Sequence, residues 1–322
     1  IHKIQSKTVV YFVQSGPTVG LGHKSLPYDS LKREVHNFAF LHFCDVDRIN
    51  HGILQPAADD FDLVAVSFTE SAAVRQRLKN GHALFESDIS RFPYLSEQPA
   101  MCVTIHNDFA DEWVELHPLG SVETVDPALI IPAIKNAGIC GLGGASFPTH
   151  VKLSIKPEQK CDCIIANGAE CETHLTCDHR LMLENPVRGV DGLRAAMRAI
   201  NVKEGIIAIE DNKPDAIEAM RKACQGREGV RVQVLKTKYP QGAEKVLIEN
   251  CPGREVPFPG LPSDVGVIVM NVTSVAFVSK YLETGMPLTT KRLTVDGDIV
   301  KEPKNVEVII GTPIQELLDF CG

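Results

Sequence analysis

The chain carries no Cys-x-x-Cys pair among its ten cysteines. A contiguous iron–sulfur or zinc motif needs that spacing, so neither can be read from this sequence. The thiols stand at 44, 102, 140, 161, 163, 171, 177, 224, 251 and 321. Only Cys161 and Cys163 are close, and on a strand both would face one side. Such scatter suits reduced, partly buried cysteine in a cytosolic protein, with metal or redox service as the alternative. No apolar run approaches the ~20 residues of a membrane span. Positive charge is in short supply: 33 Lys+Arg against 41 Asp+Glu leave a net −8. With no long basic stretch either, nucleic acid is a poor partner. No signal-peptide pattern follows Ile1.

What is present is an ordinary globular composition, 44% hydrophobic over 322 residues, enough for two or three domains. The first 126 residues form a mixed, β-rich region of uncertain fold. Strands are expected at 8–13 and 101–105, an apolar run at 61–68, and a helix over 69–79 capped by Thr69. A turn should follow His106. The histidines here lack ligand spacing and are expected to be solvated or hydrogen-bonded. From Pro127 helices and strands alternate. Helices are predicted over 127–137, from Pro148-Thr149, and over 181–200, 214–224, 241–250 and 274–284. Strands are predicted over 163–166, 205–209, 230–235 and 265–270. That order argues for an α/β domain with a largely parallel sheet. After Arg292 come an expected hairpin over 293–300 around Asp296-Gly297, a strand over 306–310 and a helix over 313–320. So few strands with one helix make a poor independent fold, so the polypeptide is expected to continue or a partner to cover this end.

The chemistry concentrates between Gly141 and Arg180. Gly141-Leu-Gly-Gly144 leads through Phe147 and Pro148 to Lys152. Glycines let backbone N–H groups approach a phosphate, a helix start attracts an anion, and Lys152 adds a charge. A packing turn explains the glycines alone equally well. The motif lacks the Gly-Lys-Ser/Thr of a P-loop, and a helix rather than a strand leads into it, unlike a dinucleotide fingerprint. Asn167-Gly-Ala-Glu170-Cys-Glu172 ends a strand with an amide and two carboxylates, where open α/β sheets bind ligands. A solvated acidic turn is the alternative. Glu210-Asp-Asn-Lys213, Tyr239-Pro-Gln-Gly242-Ala-Glu244-Lys245 and Asn271-Val-Thr-Ser274 repeat the theme at three further strand ends.

Together with Leu261-Pro-Ser-Asp-Val-Gly266, these segments resemble the RnfC subunit of Rnf electron-transport complexes. They are similar, more distantly, to the flavin-bearing NuoF-type subunit of respiratory complex I and to cobalamin-reductase relatives. The likeness covers about residue 130 to 322. It implies an FMN-binding α/β domain over 127–288, a partial β-grasp (SLBB) domain over 289–322, and NADH:acceptor electron transfer through non-covalent FMN. By the resemblance, Gly141, Gly143 and Lys152 match the phosphate and flavin loop. Asn167, Glu170, Tyr239, Gly242, Glu244, Asn271 and Ser274 match positions lining the flavin. Gly144, Phe147 and Glu172 match the NADH side, with Phe147 a stacking partner for adenine and Glu172 a candidate for a direct role. Glu170 and Glu172 would disfavour the extra phosphate of NADPH.

Several positions depart from the family pattern. Ser146 replaces a common glycine, Thr173 a proline, and Thr273-Ser274 a Gly-Thr pair. The cysteines that hold [4Fe–4S] clusters in the family lie beyond the β-grasp domain and are absent from this chain. The glycine-rich segment that usually opens the family is missing from residues 1–95. The resemblance therefore implies an NADH-oxidising flavoprotein subunit, with an iron–sulfur or ferredoxin-like protein and other subunits of a membrane complex as partners. It would sit on the inner face of the cell membrane without spanning it. An FMN shuttle feeding a dedicated reductase, and a flavin-free scaffold, remain as alternatives.

Overall fold

The computed structural model describes residues 2–4, 8–13, 85–90, 100–106, 113, 115–144, 146–156, 158–310 and 312–322. The expectations over 61–68 and 69–79, and the turn after His106, lie outside them. Four short strands come first: β1 (His2–Ile4), β2 (Thr8–Val13), β3 (Phe85–Ser90) and β4 (Ala100–His106). β2, β4 and β3 form an antiparallel sheet in that order. The strands expected at 8–13 and 101–105 are thus present. Nothing in the pattern announces β3, whose Phe-Glu-Ser-Asp-Ile-Ser is mostly polar.

Alternation of helix and strand begins with α1 (Pro127–Asn136). Asp126 caps it by accepting from the Ala128 amide, and Gly138 closes it at φ 66. Next come α2 (Thr149–Leu153), β5 (Cys163–Gly168), α3 (Cys177–Glu184) and α4 (Pro186–Ala199). β6 (Glu204–Glu210), α5 (Pro214–Cys224), β7 (Val230–Leu235), α6 (Glu244–Asn250), β8 (Val267–Asn271) and α7 (Val272–Thr284) complete the series. The single helix expected over 181–200 is in fact two. It breaks at Asn185, φ −136 and ψ 49, because Pro186 offers no N–H and bars the preceding residue from helical geometry. The helix expected from Gln241 starts only at Glu244, since the three residues before it belong to a loop at the site.

The four strands run parallel in the order β7-β6-β5-β8. β5 and β6 are apolar on both faces, as a sheet covered on two sides requires. Ile164, Ala166, Ile207, Ile209, Ile268 and Met270 face α1, α4, α5 and α7. Cys163, Ile165, Ile206, Ala208, Val267 and Val269 face Leu247 and Ile248 of α6. Each fully buried Ile or Leu contributes about 1.5–3 kcal/mol. Val122 and Val125, ahead of the boundary expected at 127, belong to the first of these cores. The chain runs outward through β6 and β7, then returns to the far side of β5 as β8. That reversal opens a crevice beyond the carboxyl ends of β5 and β8.

The last unit pairs β9 (Thr290–Val295) with β10 (Lys304–Ile309) and carries α8 (Ile314–Cys321). β1 adds in parallel to β10, with Lys3 opposite Glu307. The tight hairpin expected over 293–300 does not form, because Val295 faces Lys304 and the connection is longer. Just past the expected hairpin, the Lys301 and Glu302 amides donate to the carbonyls of Gly322 and Cys321 at the end of α8.

Candidate site at the carboxyl ends of the parallel strands

The glycine loop is a closed structure with a pinned neck. An isolated bridge joins Cys140 to Pro148, and the Gly141 amide donates to the Phe147 carbonyl at 2.9 Å. Ser274, buried in the first turn of α7, holds it from below. Its hydroxyl accepts from the Leu142 amide at 2.8 Å and donates to the Cys140 carbonyl at 3.0 Å. Ser146 sits at φ 53, the left-handed region in which glycine is at ease, which explains why glycine suits this position. The expectation that the following helix supplies an anion site meets a limit. α2 has five residues, too few to build a strong terminal dipole. Positive charge comes from Lys152 instead.

Lys152 reaches back under the strand ends. Its ammonium donates to Glu244 Oε1 at 3.1 Å and to the Val269 carbonyl at 2.9 Å, and lies 6.0 Å from the centre of the Phe147 ring. Asn167, near the end of β5, ties this strand to the loop before α6. Its Nδ2 donates to the Gly242 carbonyl at 2.9 Å, while its Oδ1 accepts from the Ala169 amide. The Gly242 amide in turn donates to Cys171 Sγ at 3.1 Å. At the end of β8, Asn271 caps α7 by accepting from the Thr273 and Ser274 amides. The structure therefore brings Gly141, Gly143, Lys152, Phe147, Asn167, Gly242, Glu244, Asn271 and Ser274 into one linked set of loops.

The remaining expected residues have more individual placements. Glu170, at φ 45, turns its carboxylate to the first turn of α3, accepting from the Asp178 and His179 amides at 2.7 and 3.0 Å. Gly144 and Glu172 are exposed, and a Cβ on Gly144 would meet nothing within 4 Å. The Tyr239 side chain is 78% exposed.

Three residues with no role expected from sequence have structural work here. Lys213 is buried and donates to the Ala169 carbonyl at 2.8 Å and to Asn212 Oδ1 at 3.0 Å, with Glu210 Oε2 at 3.5 Å as its ion-pair partner. It props up the turn that carries Glu170. Cys171 supplies the sulfur acceptor for the Gly242 amide. Asp178 accepts from Asn271 Nδ2 and from the Thr273 hydroxyl. A lysine beside a proline at a strand end, and an acid at the second position of α3, were the only local signs.

The glycines, amides and ammonium of these loops are of the kinds that suit a planar, phosphate-bearing group. A Cβ on Gly143 would come 2.4 Å from Asn271 Nδ2, too close to stand without a shift, and one on Gly242 would come 3.2 Å from Cys171 Sγ, a tight contact, so glycine lets the backbone approach both side chains. Gln241, 1% exposed, has a side-chain oxygen with no hydrogen-bond partner among the described residues, an acceptor left over in the same loop. Burial pushes the Cys163 thiol up to about 12 and the Cys251 thiol to about 11, which keeps both protonated. Free thiols run from Cys140 to Cys321. Among the described residues no group of three or more His, Cys, Asp or Glu side chains could hold a metal ion, and no helix is long and apolar enough to cross a membrane.

Comparison with known proteins agrees with this geometry. Residues 134–280 match the Nuo51 FMN-binding domain and residues 292–322 the SLBB domain. The chain is 48% identical over 231 residues to the C subunit of the Na+-translocating ferredoxin:NAD+ oxidoreductase complex of Acetobacterium woodii, covering 71% of this chain and 52% of that protein. It is 47% identical to the proton-translocating counterpart of Clostridium ljungdahlii, covering 73% of this chain and 51% of the relative. The C subunit of the ion-translocating oxidoreductase complex of Pseudomonas aeruginosa is 39% identical, covering 72% and 30%. The chain thus spans about half the length of the first two relatives and less of the third. Among solved structures, a NAD+-reducing [NiFe]-hydrogenase in its H2-reduced state shares the fold at TM-score 0.51 and 24% identity, covering 64% of this chain and 41% of that one.

Proposed function

Because the chain belongs to the RnfC family of ion-translocating oxidoreductase subunits, we propose that it is the FMN-bearing subunit that takes electrons from NADH and hands them to iron–sulfur carriers. The observation that carries this reading is the convergence at the β5–β8 switch point of the glycine loop, the Lys152–Glu244 pair and the Asn167–Gly242 link. FMN, when bound, converts the two-electron hydride chemistry of nicotinamide into single-electron transfer. The chain's own residues orient and enclose it. Lys152 brings positive charge to the loop, and Glu244 with the Val269 carbonyl keeps that ammonium aimed. Asn167 fixes the distance between the two loops, and Gln241 offers its unused oxygen to a donor on the ring. Gly144, Phe147 and the exposed Glu172 form the open side, suited to a nucleotide that must come and go.

The names of the first two relatives write the couple as ferredoxin:NAD+ oxidoreductase, so the same site would serve electron transfer in either direction. Iron–sulfur carriers of partner subunits would receive the electrons, and the subunit would sit peripherally on the inner face of the membrane through those partners. The test is the visible spectrum of the protein incubated with FMN, followed by anaerobic mixing with NADH. Bound flavin bleached by NADH is the expected result. Protein that stays colourless after FMN addition would overturn the reading in favour of a scaffold. Flavin that binds but resists NADH would replace it with an FMN shuttle to a dedicated reductase.

Gly143→Ala probes the cradle directly. The new Cβ would meet an Asn271 side chain that three hydrogen bonds hold in place, so it cannot simply swing away. FMN affinity is expected to fall about 30-fold, roughly 2 kcal/mol, with little change in thermal stability. Flavin-fluorescence quenching measures it. Unchanged affinity would show that the loop does not seat against Asn271.

A further inference from the structure

Asp178 is the second residue of α3, and nothing above gives it a part in binding. It is fastened on two sides. Its backbone amide donates to Glu170, in the turn after β5. Its carboxylate accepts from Asn271 Nδ2 at 2.7 Å and from the Thr273 hydroxyl, both at the start of α7. The Asn271 amide has no freedom left: its oxygen accepts from the Thr273 and Ser274 amides at 2.9 and 3.2 Å, so its nitrogen must face Asp178. Gly143 packs against that same nitrogen. One turn along, Ser274 holds Cys140 and Leu142. A continuous chain of contacts therefore runs from the Asp178 carboxylate to the glycine loop, across separations of 93 and 95 residues in sequence.

We propose that Asp178 is a positioning residue for the FMN pocket, locking the Asn271 side-chain amide and so the seat of the glycine loop. The proposal rests on the FMN reading above. As an anion Asp178 accepts on both oxygens, and both hydrogen bonds are charge-assisted. Asparagine can keep its oxygen on Asn271 Nδ2 only by turning its NH2 to the Thr273 hydroxyl, which must then accept, so the charge is lost from both contacts.

The surroundings make this anion sensitive to pH. Desolvation pushes the Asp178 carboxyl up to about 6, and the Glu170 charge adds to the rise; the Thr273 and Asn271 hydrogen bonds and Lys291 of β9 oppose it. Cys177, its neighbour on α3, is pushed up to about 12 by burial and by the Asp178 and Glu170 charges, and stays a neutral thiol. The sign follows. Above about 6 Asp178 is ionised and the lock is complete. Well below it the side chain is protonated, neutral like asparagine, and the lock is already weakened to the same degree.

The experiment titrates FMN into wild-type and Asp178→Asn proteins from pH 5 to 7.5, with flavin-fluorescence quenching as the readout and circular dichroism confirming the fold. At pH 7.5 the variant is expected to bind FMN about tenfold more weakly, the scale of a lost hydrogen bond to a charged group. At pH 5 the ratio should shrink to about twofold, because the wild type is then mostly protonated. Taking the ratio removes titration of the FMN phosphate, which is common to both proteins. Thr273→Val, which deletes one donor, should lose about threefold at pH 7.5. Combined with Asp178→Asn it should add less than it costs alone, and it carries the test if Asp178→Asn fails to fold. Equal affinities at pH 7.5, or a ratio that does not change with pH, would overturn the proposal while leaving FMN binding intact. A wild type that binds no FMN at any pH would instead overturn the functional reading beneath it.

Discussion

Lys213→Met is expected to lower the thermal unfolding midpoint by roughly 10 °C and to cost about 3–5 kcal/mol, the range for breaking one side of a buried ion pair. The Lys213 and Glu210 side chains are 7% and 1% exposed, so water cannot replace the missing ammonium. The variant leaves Glu210 with a single donor, the Lys238 amide at 3.2 Å. It also strips the Ala169 carbonyl of its 2.8 Å donor. Since Ala169 and Glu170 form the turn between β5 and the cap of α3, the loss should reach the site. A second variant separates the two consequences. Glu210→Gln added to Lys213→Met removes the stranded charge, so most of the stability should return. FMN affinity should not return, because the Ala169 turn still lacks its support. Differential scanning calorimetry and flavin titration read the two effects. If the double variant binds FMN as the wild type does, Lys213 acts on stability alone.

Much of this architecture is legible in the chain because its signals are local. Pro214 in the first turn of α5 and the alternation of β7 place both elements to the residue. Asp126 before Pro127, with Gly138 behind, brackets α1 for the same reason. The strand-end amides Asn167 and Asn271 also stand out, since packing alone rarely puts a polar side chain at the close of an apolar run. What stays hidden is partnership across long separations. Three residues at the start of the chain complete a sheet with β10, and no pattern in His-Lys-Ile predicts that pairing. Asp178 and Thr273 are ordinary helix-start residues until the fold sets them in contact. The hairpin about Asp296-Gly297 shows the opposite failure. Its turn signal invites a tight return, but β9 pairs with a strand that begins only at Lys304, after Lys301 and Glu302 have bonded to the end of α8, and a local rule cannot see that longer connection. The fold class follows from periodicity; the support of the site depends on tertiary contacts.

Gly192→Ala should be among the most damaging single-methyl additions to this chain, and its effect should reach the site from the opposite side of the core. A Cβ on Gly192, in the middle of α4, would lie 1.8 Å from the Val275 carbonyl oxygen and 2.7 Å from its carbon. Both atoms are backbone of α7, so no side chain can rotate to make room. The two helices would have to move apart, opening the packing that buries Val190, Leu193, Val275 and Val278. The expected cost is about 3 kcal/mol or more, at the upper end for overpacking. Gly144→Ala, where the added Cβ meets nothing within 4 Å, is the control and should leave the unfolding midpoint unchanged. α7 is also the helix whose first turn carries Asn271, Thr273 and Ser274, the residues that hold the glycine loop and Asp178. A displaced α7 should therefore loosen FMN even at temperatures where Gly192→Ala remains folded. Calorimetry and flavin titration at low temperature test the two halves. A Gly192→Ala protein as stable as the wild type would show that α4 and α7 do not approach this closely. A destabilised variant with full affinity would show that the first turn of α7 is held by the site itself rather than by the helix behind it.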